Sequence, residues 1–171
     1  MRKRAAILAA GSALALAACA TTSRVAAAGD IHALLVAVRD DNEAAFQARV
    51  DKPALERELE GKLLERTQRS GDESVAALGA LFAHPLARAA GETLLRPEAF
   101  RAIAEYYGYR PGMPIPNQLE IAGALRALPD GRVCAARRHG GACLLTFADE
   151  NGIWRLVSFD GDLSDLKLPK L

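Results

Sequence analysis

The segment RVCAARRHGGACLLTFADENGIWRLVSF, residues 132–159, alternates short apolar runs with turn signals, a pattern typical of antiparallel strands. Three strands are expected, at 132–138, 142–148 and 153–159. The His-Gly-Gly at 139–141 and the Asp-Glu-Asn-Gly at 149–152 favour short hairpin connections between them. The segment therefore predicts an antiparallel β-meander at the end of the chain.

Upstream of this meander, apolar residues recur at three- and four-residue spacing, which predicts helices. Asp30 can cap a first helix that reaches residue 49. The motif Val-Asp-Lys-Pro at 50–53 ends it and starts a second helix, because Asp51 can cap and proline suits a first helical turn. Further helices are expected at 73–95, with a kink or break at the His-Pro pair 84–85, at 96–107 and at 117–128, with a proline-rich loop at 108–116.

Helices followed by strands, rather than alternating with them, indicate the α+β class. We expect several N-terminal helices to pack on one face of a three-stranded, or slightly larger, antiparallel meander. Residues 30–171 would form this single globular domain, which is long enough to bury a core.

The N-terminus combines a basic start, an apolar stretch at 5–18 and the sequence Leu-Ala-Ala-Cys at 16–19. The apolar stretch has 14 residues, which is too few to span a bilayer, since a transmembrane helix needs about 20. The arrangement resembles the signal of bacterial lipoproteins, the lipobox, whose cysteine becomes the lipid-bearing first residue. The resemblance implies a cleaved signal at 1–18, lipidation of Cys19 and a flexible tether at 19–29. An ordinary signal peptide with a chance cysteine is the alternative.

Lipidation would hold the protein in the cell envelope through acyl chains inserted in a membrane. In enteric lipoproteins an aspartate after the cysteine favours the inner membrane, so Ala20 points to the outer membrane, facing the periplasm. Loss of residues 1–18 removes three basic residues, leaving 19 Lys+Arg against 21 Asp+Glu and a net charge of −2. This charge gives no reason to expect a nucleic-acid partner.

The helical region also resembles a family of small exported bacterial domains of unknown function. The resemblance rests on Asp-Asn-Glu-Ala-Ala-Phe at 41–46, Val-Asp-Lys-Pro-Ala-Leu at 50–55 and a late tryptophan strand at 153–157. Lys52 stands where the family usually has an aromatic residue, and Glu56 where arginine is usual. The resemblance implies a small domain of helices and a curved sheet, and it brings no known catalytic residues.

Cys134 and Cys143 flank the first hairpin turn and remain once Cys19 is assigned to the lipid. Direct pairing would leave a four-residue loop at 137–140, and an exported chain enters an oxidising compartment. We expect a disulfide. A redox-active pair is the alternative, although the Cys-x-x-Cys spacing that lowers a thiol pKa is absent. Two free thiols are a further alternative.

Tyr106, Tyr107, Tyr109 and Arg110 form the densest aromatic group, beside the proline-rich loop. Such a cluster can line a binding surface for a protein or a small ligand, or it can close the edge of a core.

The sequence predicts no catalytic, cofactor-binding or metal site. The alternating acids at 160–165 lack the bidentate acid of a calcium loop, since Leu171 stands at that position. The three histidines have no zinc-ligand spacing, and no nucleophile elbow, phosphate loop or dinucleotide motif occurs.

Two hypotheses about function follow. The first is a non-enzymatic lipoprotein of the envelope that binds a partner protein or a small ligand, or that has a structural role. The second is an envelope hydrolase with an unrecognised active site. Because no nucleophile–base pattern occurs, the first hypothesis is favoured.

Overall fold

The computed structural model describes the backbone of residues 2–106, 108–136 and 140–161, and the side chains of residues 21–105, 108–136 and 140–161. Within these residues, helices precede one antiparallel sheet. The helices are α1 (Arg2–Arg39), α2 (Glu43–Gln47), α3 (Lys52–Arg69), α4 (Glu73–Leu94), α5 (Pro97–Tyr106) and α6 (Gln118–Ala124). The strands are β1 (Leu125–Ala127), β2 (Val133–Ala136), β3 (Cys143–Glu150) and β4 (Ile153–Phe159).

The α+β prediction is confirmed, and the described sheet has one strand more than the three expected. Its order is β1-β2-β3-β4, with antiparallel neighbours throughout. The predicted helix at 117–128 is wrong at its end, because Leu125–Ala127 is the additional strand and Leu125 lies opposite Ala135. Pairing with β2 satisfies backbone groups that would otherwise be unpaired at that edge, which overrides the local helical pattern.

The turn predicted at 149–152 is confirmed as a two-residue connection between β3 and β4. Glu150 lies opposite Ile153, so Asn151 and Gly152 form the loop, with φ of 58° and 84°. Positive φ at both central positions matches the right-handed twist of the flanking strands. Asp149 Oδ1 accepts the Gly152 N–H at 2.7 Å and closes the turn.

The core lies between α1 and one face of the sheet. α1 packs against β1, β2 and β4, and also against α2, α5 and α6. Since strand side chains alternate between faces, Val133 and Phe147 enter the core, while the neighbouring pair Cys134 and Thr146 lies on the opposite face. The larger buried core residues are Ile31, Leu34, Val38, Phe46, Leu55, Ile121, Leu125, Val133, Phe147, Trp154 and Leu156.

The expected tether at 19–29 needs correction in its described part. Residues 21–29 continue α1, and Ala27 and Ala28 have no exposed surface. Their small side chains allow α1 and α6 to approach closely, with Gly29 near Gln118. The packed domain therefore begins before residue 30, because tertiary contacts bury a stretch that has little pattern of its own.

The expected helix over 30–49 is two helices, not one. α1 ends at Arg39, and Asp41 adopts a left-handed φ of 57°. Asn42 then caps α2, since its Oδ1 accepts the Ala45 N–H at 3.0 Å. This turn directs Phe46 into the core, where its ring meets Phe100 edge-on at 4.9 Å.

The Val-Asp-Lys-Pro motif at 50–53 connects the edge of the sheet to α3. The Leu156 N–H donates to the Arg49 carbonyl and the Asp51 N–H donates to the Leu156 carbonyl, both at 2.9 Å. The predicted cap is confirmed, because Asp51 Oδ1 accepts the Ala54 N–H at 3.0 Å. A short parallel segment therefore covers part of the exposed edge of β4.

α4 is one continuous helix, so of the kink or break expected at residues 84–85 the break does not occur, and the kink stays a prediction. Pro85 lies inside the helix on the exposed side, where water can satisfy the carbonyl that loses the Pro85 N–H. In the part of the chain whose side chains are described, no helix combines the length and apolar content needed to cross a membrane.

Candidate functional site

The predicted disulfide between Cys134 and Cys143 is confirmed, with a Cα–Cα distance of 5.6 Å. The strand register differs from the direct pairing expected, because Cys143 lies opposite Ala136 and Cys134 opposite Thr146. A shift in the ladder just before Ala136 separates the two registers. The connection is therefore longer than the four residues expected at 137–140.

Arg126 on β1 lies beside this disulfide. Its Nη2 is 3.1 Å from Cys143 Sγ and 3.6 Å from Cys134 Sγ, while its Nη1 donates to the Gly141 carbonyl at 3.2 Å. Cys134 is fully buried and Cys143 is half-buried. The disulfide therefore joins β2 to β3 through one fully buried and one half-buried cysteine.

The predicted tyrosine surface can be placed only in part. Tyr109 is half-buried, its N–H donating to the Ala104 carbonyl at 2.9 Å, and Arg110 is exposed. Tyr107 and the side chain of Tyr106 lie outside the described residues. A binding surface formed by these four residues stays a prediction.

Cys19, the predicted lipidation site, has its side chain outside the described residues, so its lipidation also stays a prediction. The acidic stretch at 160–165 is described only to residue 161. Over the side chains that are described, no group of three or more His, Cys, Asp or Glu is positioned to hold a metal ion.

The α3–α4 hairpin, residues 52–94, has an inner seam of small residues. Ala83, Ala87 and Gly91 of α4 are buried where the helix packs on α3. A Cβ atom on Gly91 would lie 2.8 Å from Glu56 Cγ, and one on Gly79 would overlap the Thr67 side chain. Large side chains therefore cannot occupy this seam.

The outer face of α4 carries the large apolar side chains instead. This is the reverse of an ordinary surface helix, whose apolar stripe faces the core. We call these residues the α4 face: Val75 (38% exposed), Leu78 (55%), Leu81 (71%), Phe82 (52%) and Leu86 (56%). A contiguous apolar patch of this kind is a mark of an interaction surface.

A groove of about 300 Å³ runs between the two helices. His84 Nδ1 lies 3.0 Å from Glu60 Oε2 within it. Because the groove mixes acidic and basic groups, its charge favours neither an anion nor a cation. Its lining residues are Pro53, Glu56, Arg57, Glu60, His84, Ala87 and Arg88.

Two carboxyl groups meet where the motif at 50–53 reaches the sheet. Burial raises the pKa of Glu150, and a hydrogen bond with Asp51 and the charge of Asp51 raise it further. The Arg155 guanidinium, 3.3 Å from Glu150 Oε2, acts in the opposite direction. This cluster joins the motif to the β3–β4 hairpin.

The α4 face is a candidate site that the sequence alone did not predict. The sequence predicts α4 as an apolar helix, and the spacing of Val75, Leu78, Phe82 and Leu86 by three and four residues marks one stripe. Such a stripe ordinarily faces the core. Its outward direction follows from the small residues that α3 covers, which requires the tertiary structure.

Comparison with known proteins finds one family. Residues 12–103 match the family described as Protein of unknown function (DUF2939), and this region is more than half of the 171-residue chain. It includes the motif at 50–53 and the whole α3–α4 hairpin, whereas the strands lie beyond it. Neither a search of curated proteins nor a search of solved structures finds a match. The chain therefore belongs to the DUF2939 family, a family of unknown function.

Proposed function

We propose that this protein is a lipid-anchored component of the bacterial envelope, attached to the outer membrane through Cys19 and facing the periplasm. Three features of the sequence support the anchor: the basic start at 2–4, the apolar stretch at 5–18 and the Leu-Ala-Ala-Cys at 16–19. The Cys134–Cys143 disulfide suits an oxidising compartment.

Within that compartment, the protein acts by binding rather than by catalysis, and the α3–α4 hairpin is its binding surface. The observation that carries this proposal is the α4 face, whose five large apolar side chains are 38% to 71% exposed. Removing apolar area from water contributes about 25 cal/mol per Å² before the entropic cost of association is subtracted, so covering this face gives a favourable driving force. The adjacent groove offers charged groups that can add selectivity at the edge of a contact.

Metabolic labelling with an alkyne fatty acid tests the anchor. The wild-type chain is expected to incorporate the label and to fractionate with outer membranes. The Cys19→Ser variant lacks the thiol that receives the lipid and is expected to lose both properties. Labelling that survives in Cys19→Ser, or its absence from the wild type, would contradict the anchor.

Photo-crosslinking in cells tests the binding role. A photoreactive residue at Leu78 should capture a reproducible envelope protein, whereas one at Arg132, which is exposed and lies just before β2, is the control. The Glu60→Gln, His84→Ala double variant removes the paired groups of the groove and is expected to keep this capture. Capture that is no greater from Leu78 than from Arg132 would contradict a binding role for the hairpin.

A further inference from the structure

The α4 face has a spacing that is symmetric about Phe82. Leu78 and Leu86 lie four residues to either side of it, and Val75 and Ala89 lie seven residues to either side. Separations of four and seven residues keep side chains on one face of an α-helix. An antiparallel copy of α4 therefore presents the same row, with Leu78 opposite Leu86 and Val75 opposite Ala89.

We propose that the α4 face is a self-association surface, through which two copies of this chain pair about a twofold axis near Phe82. A twofold contact uses the same patch on both copies, so it requires a row that matches itself when reversed. The inference rests on the proposed function, in which the hairpin is the binding surface, and it names the partner as a second copy. Two paired hairpins form an antiparallel four-helix arrangement, with each α4 inside and each α3 outside.

Charge favours a second copy over a lipid surface. Residues 74–87 contain no Asp, Glu, Lys or Arg, so the reversed row meets no like charge. Helices that lie on membranes carry basic residues that attract anionic lipids, and this stretch has none.

The exposed area of the α4 face is also large enough for a specific contact between two proteins. The five side chains of the α4 face present on the order of 500 Å² per copy, so a pair would bury roughly 1,000 Å², the lower bound for a stable interface. The inner seam cannot take these side chains, because a Cβ at Gly79 already overlaps Thr67. Rotation of α4 about its axis therefore cannot bury the α4 face, whereas a second copy can cover it.

Cross-linking of the full chain in cells tests the pairing. Leu81 lies beside the axis and outside the central row, so Leu81→Cys leaves that row intact. A short bis-maleimide is expected to convert this variant into a covalent dimer. Leu119→Cys, on α6, is 79% exposed and is the matched control. Dimer formation no greater for Leu81→Cys than for Leu119→Cys would overturn the proposal.

A second variant separates pairing from folding. In the Leu81→Cys background, Leu78→Lys with Leu86→Lys introduces charges into the row and is expected to abolish at least nine-tenths of the cross-linked dimer. Both side chains are more than half exposed, so circular dichroism and the melting temperature should stay those of the parent. Dimer yield that withstands both lysines would overturn the proposal.

Two further outcomes distinguish this inference from the proposed function. If Leu81→Cys cross-links reproducibly to a different envelope protein and not to itself, self-association is overturned while the binding role stands. If a dye on Leu81→Cys is quenched by spin-labelled lipid in phosphatidylethanolamine–phosphatidylglycerol vesicles, the face contacts lipid, and both the second copy and the protein-binding role of the hairpin are overturned.

Discussion

Asp30 joins the first helix to the last strand, because its Oδ2 accepts the backbone N–H of Trp154 at 3.0 Å. Its other oxygen, Oδ1, lies 3.5 Å from Arg49 Nε. The contact links residues 124 positions apart in a partly buried site. Asp30 thus orients α1 on the sheet and satisfies a donor of β4.

We expect Asp30→Ala to lower the free energy of unfolding by about 1–3 kcal/mol, because it leaves a partly buried N–H without its acceptor. Asp30→Asn keeps an acceptor oxygen and should cost less. Urea unfolding followed by the fluorescence of Trp154, the single tryptophan of the chain, measures both. Equal stability of Asp30→Ala and the wild type would contradict the role assigned to this hydrogen bond.

Local signals in the sequence predicted the parts of the fold that local chemistry determines. The Asp51 cap needs only its own helix start, and the turn at 149–152 needs only the Asn-Gly pair. Asp30 was expected to begin a helix, yet it lies inside α1, because its partners are distant in sequence. The strand at 125–127 was not predicted for the same reason, because only its pairing with β2 distinguishes it from a helix.

In the candidate site, too, some features follow from local sequence and others depend on tertiary packing. Compartment and spacing together predicted the Cys134–Cys143 disulfide, but not the ladder shift that sets its register. The apolar stripe of α4 is present in the sequence, whereas its exposure depends on how closely α3 approaches Gly79 and Gly91. Periodicity identifies a face, and packing decides whether that face is covered.

Glu150 predicts a pH dependence of stability. Its folded-state pKa is raised, first by burial and then by Asp51, so the folded state holds its proton more tightly than the unfolded state. The stability that this adds is present below the unfolded pKa, about 4.3, and is lost as the pH rises through the folded pKa. We expect Glu150→Gln to raise the unfolding free energy at pH 7 by about 0.5 kcal/mol.

That gain should shrink as the pH falls through the raised pKa of Glu150, because its carboxyl group then becomes protonated in the folded state. Urea titrations of both chains at pH 4, 5.5 and 7 measure the difference. A gain that is constant with pH, or a loss of stability at pH 7, would rule out this linkage.

The Cys134–Cys143 disulfide is expected to be structural and slow to reduce in the folded state. A thiol reaches half-buried Cys143 first, and fully buried Cys134 must then leave as a thiolate that water cannot solvate, although Arg126 Nη2 lies 3.6 Å from its Sγ. Millimolar dithiothreitol should therefore reduce it quickly in urea and slowly in buffer, as followed by mass after alkylation. Rapid reduction of the folded protein would indicate a redox-active pair instead.

Loss of the same disulfide should lower the free energy of unfolding by at most about 3 kcal/mol, since the closed loop is short. Comparing the double variant Cys134→Ala, Cys143→Ala with the oxidised wild type in urea unfolding gives this value. The double variant should remain folded, because the core of α1 and the sheet does not include the sulfur atoms.

Ala20, the residue after the proposed lipid site, predicts in which of the two membranes the protein is anchored. By resemblance to enteric lipoproteins, Ala20→Asp is expected to move the chain from outer-membrane to inner-membrane fractions of a sucrose gradient. Ala20→Ser, which adds no charge, should stay with the outer membrane. An unchanged distribution of Ala20→Asp would show that sorting in this envelope does not depend on this position.

Substitution of Gly79 tests how tightly α3 and α4 pack, and substitution of Gly61 provides the matched control. Both glycines lie inside helices, where replacement by alanine ordinarily stabilises by about 0.5–1 kcal/mol. A Cβ atom on Gly61 meets nothing within 4 Å, so Gly61→Ala should show this gain. On Gly79 the added methyl overlaps Thr67, so Gly79→Ala should instead destabilise the protein.

Combining Gly79→Ala with Thr67→Gly removes every overlapping atom of the Thr67 side chain, Cβ included, so in the Thr67→Gly background Gly79→Ala should no longer destabilise the protein in thermal unfolding. Recovery specific to the double variant attributes the loss to contact between α3 and α4, not to the helix itself. If Gly79→Ala were as stabilising as Gly61→Ala, the two helices would lie further apart. The seam would then have room for large side chains, and the outward position of Leu78 and Phe82 would no longer follow from packing.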